Sequence, residues 1–260
     1  MSVVNISAKN NEKVKQAARL LSSSAYRREC GEYAVEGLRL CVDAVESGLC
    51  FLRVFATEKF VREHEAEYIR LRENAADVYI VTAEIMKKMS DTVSPQGVIG
   101  VLKIPENTAK LDPLGKYIVL VNTQDPANLG GCARTAEALG LSGMIVCGGC
   151  DICNPKAQRA SMGAFFRMNV SSFKTADEML DTLGSLGIKT YASVPVADAL
   201  PVSDITFEKG SAVLIGNEAN GLDDDIVARC GSMITIPMAG RAESLNAHAA
   251  AAILCYAMML

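Results

Sequence analysis

At 260 residues, half of them apolar and 22% charged, the chain can bury a real core and fill one large or two modest domains, which excludes a disordered or fibrous protein. No apolar run reaches the roughly 18 residues of a membrane span, and MSVVNISAKNNEKVKQ lacks the apolar stretch of a secretory signal, so a soluble cytoplasmic protein without membrane contact is expected. Nine cysteines, an odd number scattered through apolar segments, fit reduced thiols better than a disulfide framework.

The net charge of −4 hides an asymmetry. Residues 1–105 hold 15 Lys plus Arg against 14 Asp plus Glu, and residues 106–260 hold 11 against 16. Early in the chain Lys9, Lys13, Lys15, Arg19, Arg27, Arg28 and Arg39 outnumber Glu12, Glu29, Glu32 and Glu36. This is a mild basic face suited to a polyanion, with Lys13, Lys15, Arg27 and Arg28 as its candidate contacts. An ordinary solvated helix surface fits the charge equally well.

In chain order, periodicity predicts helices over 11–22 and 36–48, a strand over 51–56, a helix over 59–73, a strand over 78–81, a short helix over 83–89 and a strand over 98–104. Leu38, Cys41, Val42, Val45 and Leu49 carry the helical spacing of the second segment. This reads as a small α/β module. The stretch PENTAKLDPLGK (105–116) has two prolines and no apolar periodicity, which makes 106–116 the expected linker.

Beyond it the alternation is cleaner: strand 117–121, helix 128–139, strand 143–146, helix 175–186, strands 189–192 and 211–215, helix 222–230, strand 233–236 and a closing helix from Glu243. Strands that are continuous apolar runs separated by helices imply a parallel sheet covered on both faces. The end of the chain, 249–260, is apolar all round and is expected to lie buried in the protein or against a second copy, which we favour.

Three segments place small residues and fixed polar groups where a strand gives way to a loop or helix, the usual ligand edge of an open α/β sheet. In NLGGCARTAEALG (128–140), Asn128 can cap a helix, Gly130 and Gly131 permit close approach, and Arg134 can reach back toward the loop. A capped helix with a solvated arginine is the plainer reading. In LIGNEANGLDDDI (214–226) a carboxylate, Glu218, projects from a strand end, where burial without a partner is costly. A simple turn, with Asp223, Asp224 and Asp225 at a helix start, is the alternative. In IPMAGRAESLNAHAAAAI (236–253), Ser244 and Asn246 offer hydroxyl and amide groups beside a helix start. The chain has neither G-x-G-x-x-G nor G-x-x-x-x-G-K-[ST], which disfavours the usual dinucleotide and nucleoside triphosphate folds.

Together these segments resemble the motifs of the SPOUT class, specifically the TrmH/SpoU family of RNA ribose 2′-O-methyltransferases. The likeness extends to NPKAQRASMGAFFR (154–167) and, through EYAVEGLRLCVDAVESG and SDTVSPQGVIGVLKIPE, to an L30e-like substrate-binding domain. It implies an L30e-like domain over 1–105 and, over 117–260, a parallel-sheet SPOUT catalytic domain with a deep trefoil knot, an exception to the avoidance of knots. It also implies a homodimer that binds S-adenosyl-L-methionine. By the same resemblance Gly216, Ile236, Leu245, Met238 and Ser193 line the cofactor pocket, and Asn128, Arg134, Glu218, Ser244 and Asn246 form the catalytic side. Ribosomal RNA is favoured as substrate over transfer RNA, because the L30e-like domain is common in the ribosomal branch of the family.

A guanidinium stays protonated, so Arg134 reads as a clamp on RNA phosphate or a developing alkoxide, oriented by Glu218, and not as the base. Two positions depart from the family pattern: Ala219 stands where Gly is commoner and could tighten its loop, and His248 stands where a small or β-branched residue is usual. A non-catalytic RNA-binding protein is the competing class, but the polar motif groups it would lose are present. Cys147, Cys150 and Cys153 raise a metal or iron-sulfur site, yet Ala157 stands where the fourth ferredoxin cysteine would fall, and His64 and His248 are the sole imidazoles. No metal is expected.

Overall fold

The computed structural model describes residues 3–105 and 110–260 and divides into two compact units, Met1–Pro105 with Cys153–Phe166 and Glu106–Ile152 with Arg167–Leu260. Residues 106–109 of the expected linker lie outside the described residues.

The first unit runs β1 (Val3–Ile6), α1 (Glu12–Ser22), α2 (Ser24–Cys30), β2 (Glu32–Glu36), α3 (Leu38–Glu46), β3 (Phe51–Thr57), α4 (Glu58–Glu63), α5 (Glu65–Glu73), β4 (Ala75–Val81), α6 (Ala83–Met89) and β5 (Val98–Lys103). Its sheet has the order β1-β4-β3-β5-β2, parallel through β1, β4 and β3 and antiparallel where β5 meets β3 and β2. Helix α1 buries Val14, Ala17, Leu20 and Leu21, a stripe at helical spacing, into a core shared with Phe55, Ile85 and Ile99. The helix expected from Glu36 begins at Leu38 instead, because Gly37 turns the chain at φ +103°. The single helix expected over 59–73 breaks at His64, whose backbone leaves the helical region at φ −133°, ψ 50°.

The second half of the chain adds β6 (Lys116–Val121), α7 (Pro126–Ala138), β7 (Gly143–Cys147), α8 (Pro155–Ser161), α9 (Ala164–Arg167), β8 (Val170–Phe173), α10 (Ala176–Ser185), β9 (Lys189–Ser193), β10 (Leu200–Pro201), β11 (Ser211–Ile215), α11 (Asp224–Arg229), β12 (Ser232–Thr235) and α12 (Ala247–Met259). The second sheet has the order β10-β12-β9-β11-β6-β7-β8, and every pairing is parallel. β7 and β11 are buried along their whole length, as the continuous apolar runs require. From β6 the chain steps outward to β7 and β8, then returns to build the other side from β9. The direction of winding therefore switches between β6 and β11, where such sheets open a crevice at the carboxyl ends of their strands.

Residues 153–166, which the sequence places in the domain over 117–260, group with the first compact unit by their packing. Asn154 caps α8 through Lys156 N, and the helix buries Pro155, Ala157, Gln158 and Ser161 and lies against β2. The expected start of the last helix also moves, from Glu243 to Ala247, because Asn246 is its cap and residues 239–245 form an exposed loop.

Candidate active site

The second unit assembles its polar groups at the switch point. After β6, Asn122 adopts a left-handed φ of 54° and Asp125 caps α7 by accepting a bond from Ala127 N at 3.0 Å. The expectation that Asn128 caps this helix is thereby corrected. Asn128 lies within the first turn, 8% exposed, with its carboxamide free to bond elsewhere.

It bonds both ways. Its Nδ2 donates to Glu218 Oε1 at 2.9 Å, and its Oδ1 accepts from Asn246 Nδ2 at 3.0 Å. Glu218 Oε2 accepts from Gln124 N at 3.2 Å, while Asn246 Oδ1 receives His248 N and Ala249 N and so caps α12. Segments far apart in sequence are tied in one line, and a buried carboxamide satisfied on both sides fixes a single arrangement.

Glu218 is delivered by a tight loop after β11. Asn217 and Gly221 exchange backbone bonds at 2.9 and 2.8 Å, and Asn217 Oδ1 accepts from Ala219 N at 2.8 Å. Gly216 must lack a side chain, since a Cβ there would stand 2.1 Å from the Gly221 carbonyl carbon. Ala219 is exposed, with an ordinary negative φ, so the departure noted from the sequence neither strains nor tightens the loop. Partial burial raises the Glu218 pKa, but bonds from the Asn128 amide and from the backbone N–H groups of Glu218, Gln124 and Asp125 outweigh it and hold the carboxyl below its usual range. It is a carboxylate at neutral pH.

Arg134 lies just over two turns along α7, exposed, and among the described residues no hydrogen bond or ion pair holds its guanidinium. The Glu218 carboxylate, expected to orient it, accepts from Asn128 and Gln124, and among the described residues no bond joins it to Arg134. Ser244 is exposed in the loop before α12.

Three of the other expected residues stand on adjacent strand ends: Ser193 closes β9, Gly216 follows β11 and Ile236 follows β12. Val194 N donates to Ile234 O at 2.9 Å and holds two of these ends together. Met238 and Leu245, 36% and 38% exposed, lie in the segment between β12 and α12. Backbone donors and acceptors at strand ends, with a thioether and an isobutyl group in the segment that follows, suit the edge and faces of a flat heterocycle.

The basic face of the first unit is weaker than its sequence suggests. Lys13, Lys15 and Arg28 are exposed, Lys15 within 3.6 Å of Glu12. Arg27, expected beside them, is 2% exposed and donates from Nη1 to Leu20 O at 2.8 Å, so it joins α2 to α1 and presents no charge to a ligand. The sequence reading also missed a cavity of about 340 Å³ in this unit, lined by Glu36, Arg39, Thr92, Gln96, Arg159 and Met162. Glu36 accepts from Asp91 N at 3.0 Å and Thr92 Oγ1 at 2.7 Å, and Arg159 Nη2 bonds Asp91 at 2.7 Å.

Of the three clustered cysteines, Cys147 and Cys153 are buried, Cys150 is half-buried, and Cys153 belongs to the other compact unit. Desolvation raises the Cys147 pKa, with Glu178 adding to it. Among the described residues no group of three or more His, Cys, Asp or Glu is placed to hold a metal ion.

Comparison with known proteins bears directly on this arrangement. Residues 115–256 match the model of the SpoU rRNA Methylase family, and residues 11–100 match an MRM3-like substrate binding domain. The 23S rRNA (guanosine(2553)-2′-O)-methyltransferase RlmP of Bacillus subtilis is 28% identical, over 96% of this chain and 97% of its own. An AdoMet-bound rRNA methyltransferase from Sinorhizobium meliloti is 25% identical with a TM-score of 0.88, covering 98% of this chain and 97% of that one. The SpoU methyltransferase AviRb from Streptomyces viridochromogenes, solved with AdoMet, is 26% identical with a TM-score of 0.87, covering 96% and 97%.

Proposed function

Because the chain belongs to the SpoU rRNA methylase family, we propose that it transfers the methyl group of S-adenosylmethionine to a ribose 2′-hydroxyl of ribosomal RNA. The observation that carries the reading is the bonded line Asn246–Asn128–Glu218 at the β6/β11 switch point, with an unpaired Arg134 on the same helix. Relatives named for ribosomal substrates, and the match to a substrate-binding domain over 11–100, favour ribosomal over transfer RNA.

Ser193, Gly216, Ile236, Met238 and Leu245 would hold S-adenosylmethionine, whose sulfonium supplies an already activated methyl group when bound. The chain's part is to place and to stabilise. Asn128, Glu218 and Asn246 lock the first turn of α7 to the start of α12. Arg134 offers its planar fork to a phosphate or to the developing ribose alkoxide. Ser244 supplies a hydroxyl at the same edge. In the first unit, Lys13, Lys15 and Arg28 take the RNA backbone by charge.

The finer fold reading belongs to the same proposal: an L30e-like first unit, and a trefoil knot formed by the 216–222 and 236–246 segments. The working form is a homodimer. Helix α12 buries Ala251, Leu254, Cys255 and Met258 against its own unit but leaves Ile253, Tyr256 and Met259 exposed at 40%, 58% and 43%, an apolar stripe at three-residue spacing. Replacing Ile253 and Tyr256 with Asp is expected to give monomer or insoluble protein. An unchanged dimer mass by light scattering would reject the placement. Among the described residues no helix is long and apolar enough to cross a membrane, and we place the protein in the cytoplasm with its RNA.

The activity itself is tested by mapping ribose 2′-O-methyl groups in cellular RNA with and without the gene. One ribosomal site is expected to lose its methyl group. A lost site in transfer RNA would move the substrate, and identical maps would favour a binding protein without catalysis.

A further inference from the structure

We propose that His248 is a positioning residue for methyl transfer, a wedge between α12 and α7 that fixes how Arg134 is presented, and that Gly131 is glycine to admit it. This rests on the methyl-transfer reading above. The start of α12 meets α7 at successive points. Asn246 bonds Asn128, the Cys132 thiol faces the Ala247 carbonyl oxygen at 4.0 Å, and His248, half-buried, comes next.

Its ring lies directly on the Gly131 backbone. A Cβ at Gly131 would stand 2.6 Å from Nδ1 and 2.8 Å from Cε1 and Cγ, so no side chain fits there while the imidazole is present. The ring's Nε2 is 3.1 Å from the Thr135 hydroxyl. Glycine weakens a helix interior relative to alanine, so its use inside α7 calls for a local reason, and the ring gives one.

Gly131 is the i−3 neighbour of Arg134 and Thr135 follows it directly, so both contacts of the ring bracket that side chain on the helix surface. α7 already buries Leu129, Cys132, Ala133 and Ala136, and Asn246 holds its first turn. His248 adds contacts at Gly131 and Thr135, the positions that flank Arg134, and so fixes the local rotation of the helix surface from which that side chain projects.

The test is steady-state and melting analysis of the full-length protein on ribosomal RNA, as wild type, His248→Ala, His248→Gln, Gly131→Ala and the double variant Gly131→Ala/His248→Ala. Loss of the wedge should lower kcat about tenfold in His248→Ala while KM for both substrates stays within about twofold, because a misplaced group costs turnover more than affinity. Glutamine, whose amide can reach Thr135, should restore most of the rate. Gly131→Ala should lose rate and melting temperature together, and the double variant should recover part of both, a non-additivity that reports direct contact. Wild-type kcat in His248→Ala, or a double variant no better than Gly131→Ala, would overturn the proposal. Should the wild type methylate no ribose, the methyl-transfer reading fails instead, and the melting temperatures of the same four-member cycle still decide whether the wedge exists.

Discussion

Arg27 in the first compact unit and Arg134 in the second are used in opposite ways. In the first, Arg27 is buried against the Leu20 carbonyl, Arg53 pairs with Glu32, and Arg159 pairs with Asp91. In the second, Arg134 stands exposed with no partner among the described residues, on the helix whose first turn joins a network in which each carboxamide and carboxylate is already bonded. A guanidinium committed to structure cannot also clamp a phosphate, so the excess of basic residues early in the chain overstates the charge that unit presents. One free arginine held on a fixed helix is worth more to chemistry than several that tie the fold together.

The largest expected effect on folding follows from that contrast. Arg27→Ala leaves the Leu20 carbonyl without its charged donor and should cost about 1.5–3 kcal/mol, the usual size for a hydrogen bond to a charged group. Arg28→Ala should leave urea midpoints unchanged and instead lower RNA affinity and flatten its salt dependence. Equal midpoints for both variants would erase the distinction between structural and presented charge.

A smaller effect concerns Glu218. Its carboxyl lies below the ordinary value of 4.5, so the stability it contributes is complete above the unfolded-state value and is lost as pH falls through the still lower folded value. The difference in melting temperature between wild type and Glu218→Gln should be flat at neutral and mildly acidic pH, and should shrink only under acid conditions below 4.5. A difference that shrinks already between pH 7 and 6 would mean that another group holds the loop.

Much of the second unit was legible because its strands are continuous apolar runs, a pattern that only a doubly covered parallel sheet requires. β1 and β8 escaped because they are short edge strands with little buried surface. β2 escaped because Glu32 and Glu36 look like helix-surface residues, whereas Glu36 is buried and holds the 90–92 turn. The signal for α8 was present in Asn154-Pro155, a cap followed by proline at the first turn, but was absorbed into a motif. In the site, the identity of the polar residues was legible and their pairing was not. The bonds joining Asn128 to Glu218 and to Asn246 cross 90 and 118 residues, and local sequence carries no record of such partners.

Single-turnover methyl transfer to saturating ribosomal RNA by wild type, Arg134→Ala and Arg134→Lys tests the central assignment most directly. The account predicts an alanine variant that binds S-adenosylmethionine normally by calorimetry, yet transfers its methyl group on the order of 10² times more slowly or worse, as loss of one preorganised charge donor does. Lysine should recover little, since a point charge cannot reproduce the planar fork. Transfer by Arg134→Ala at near the wild-type rate would contradict the account.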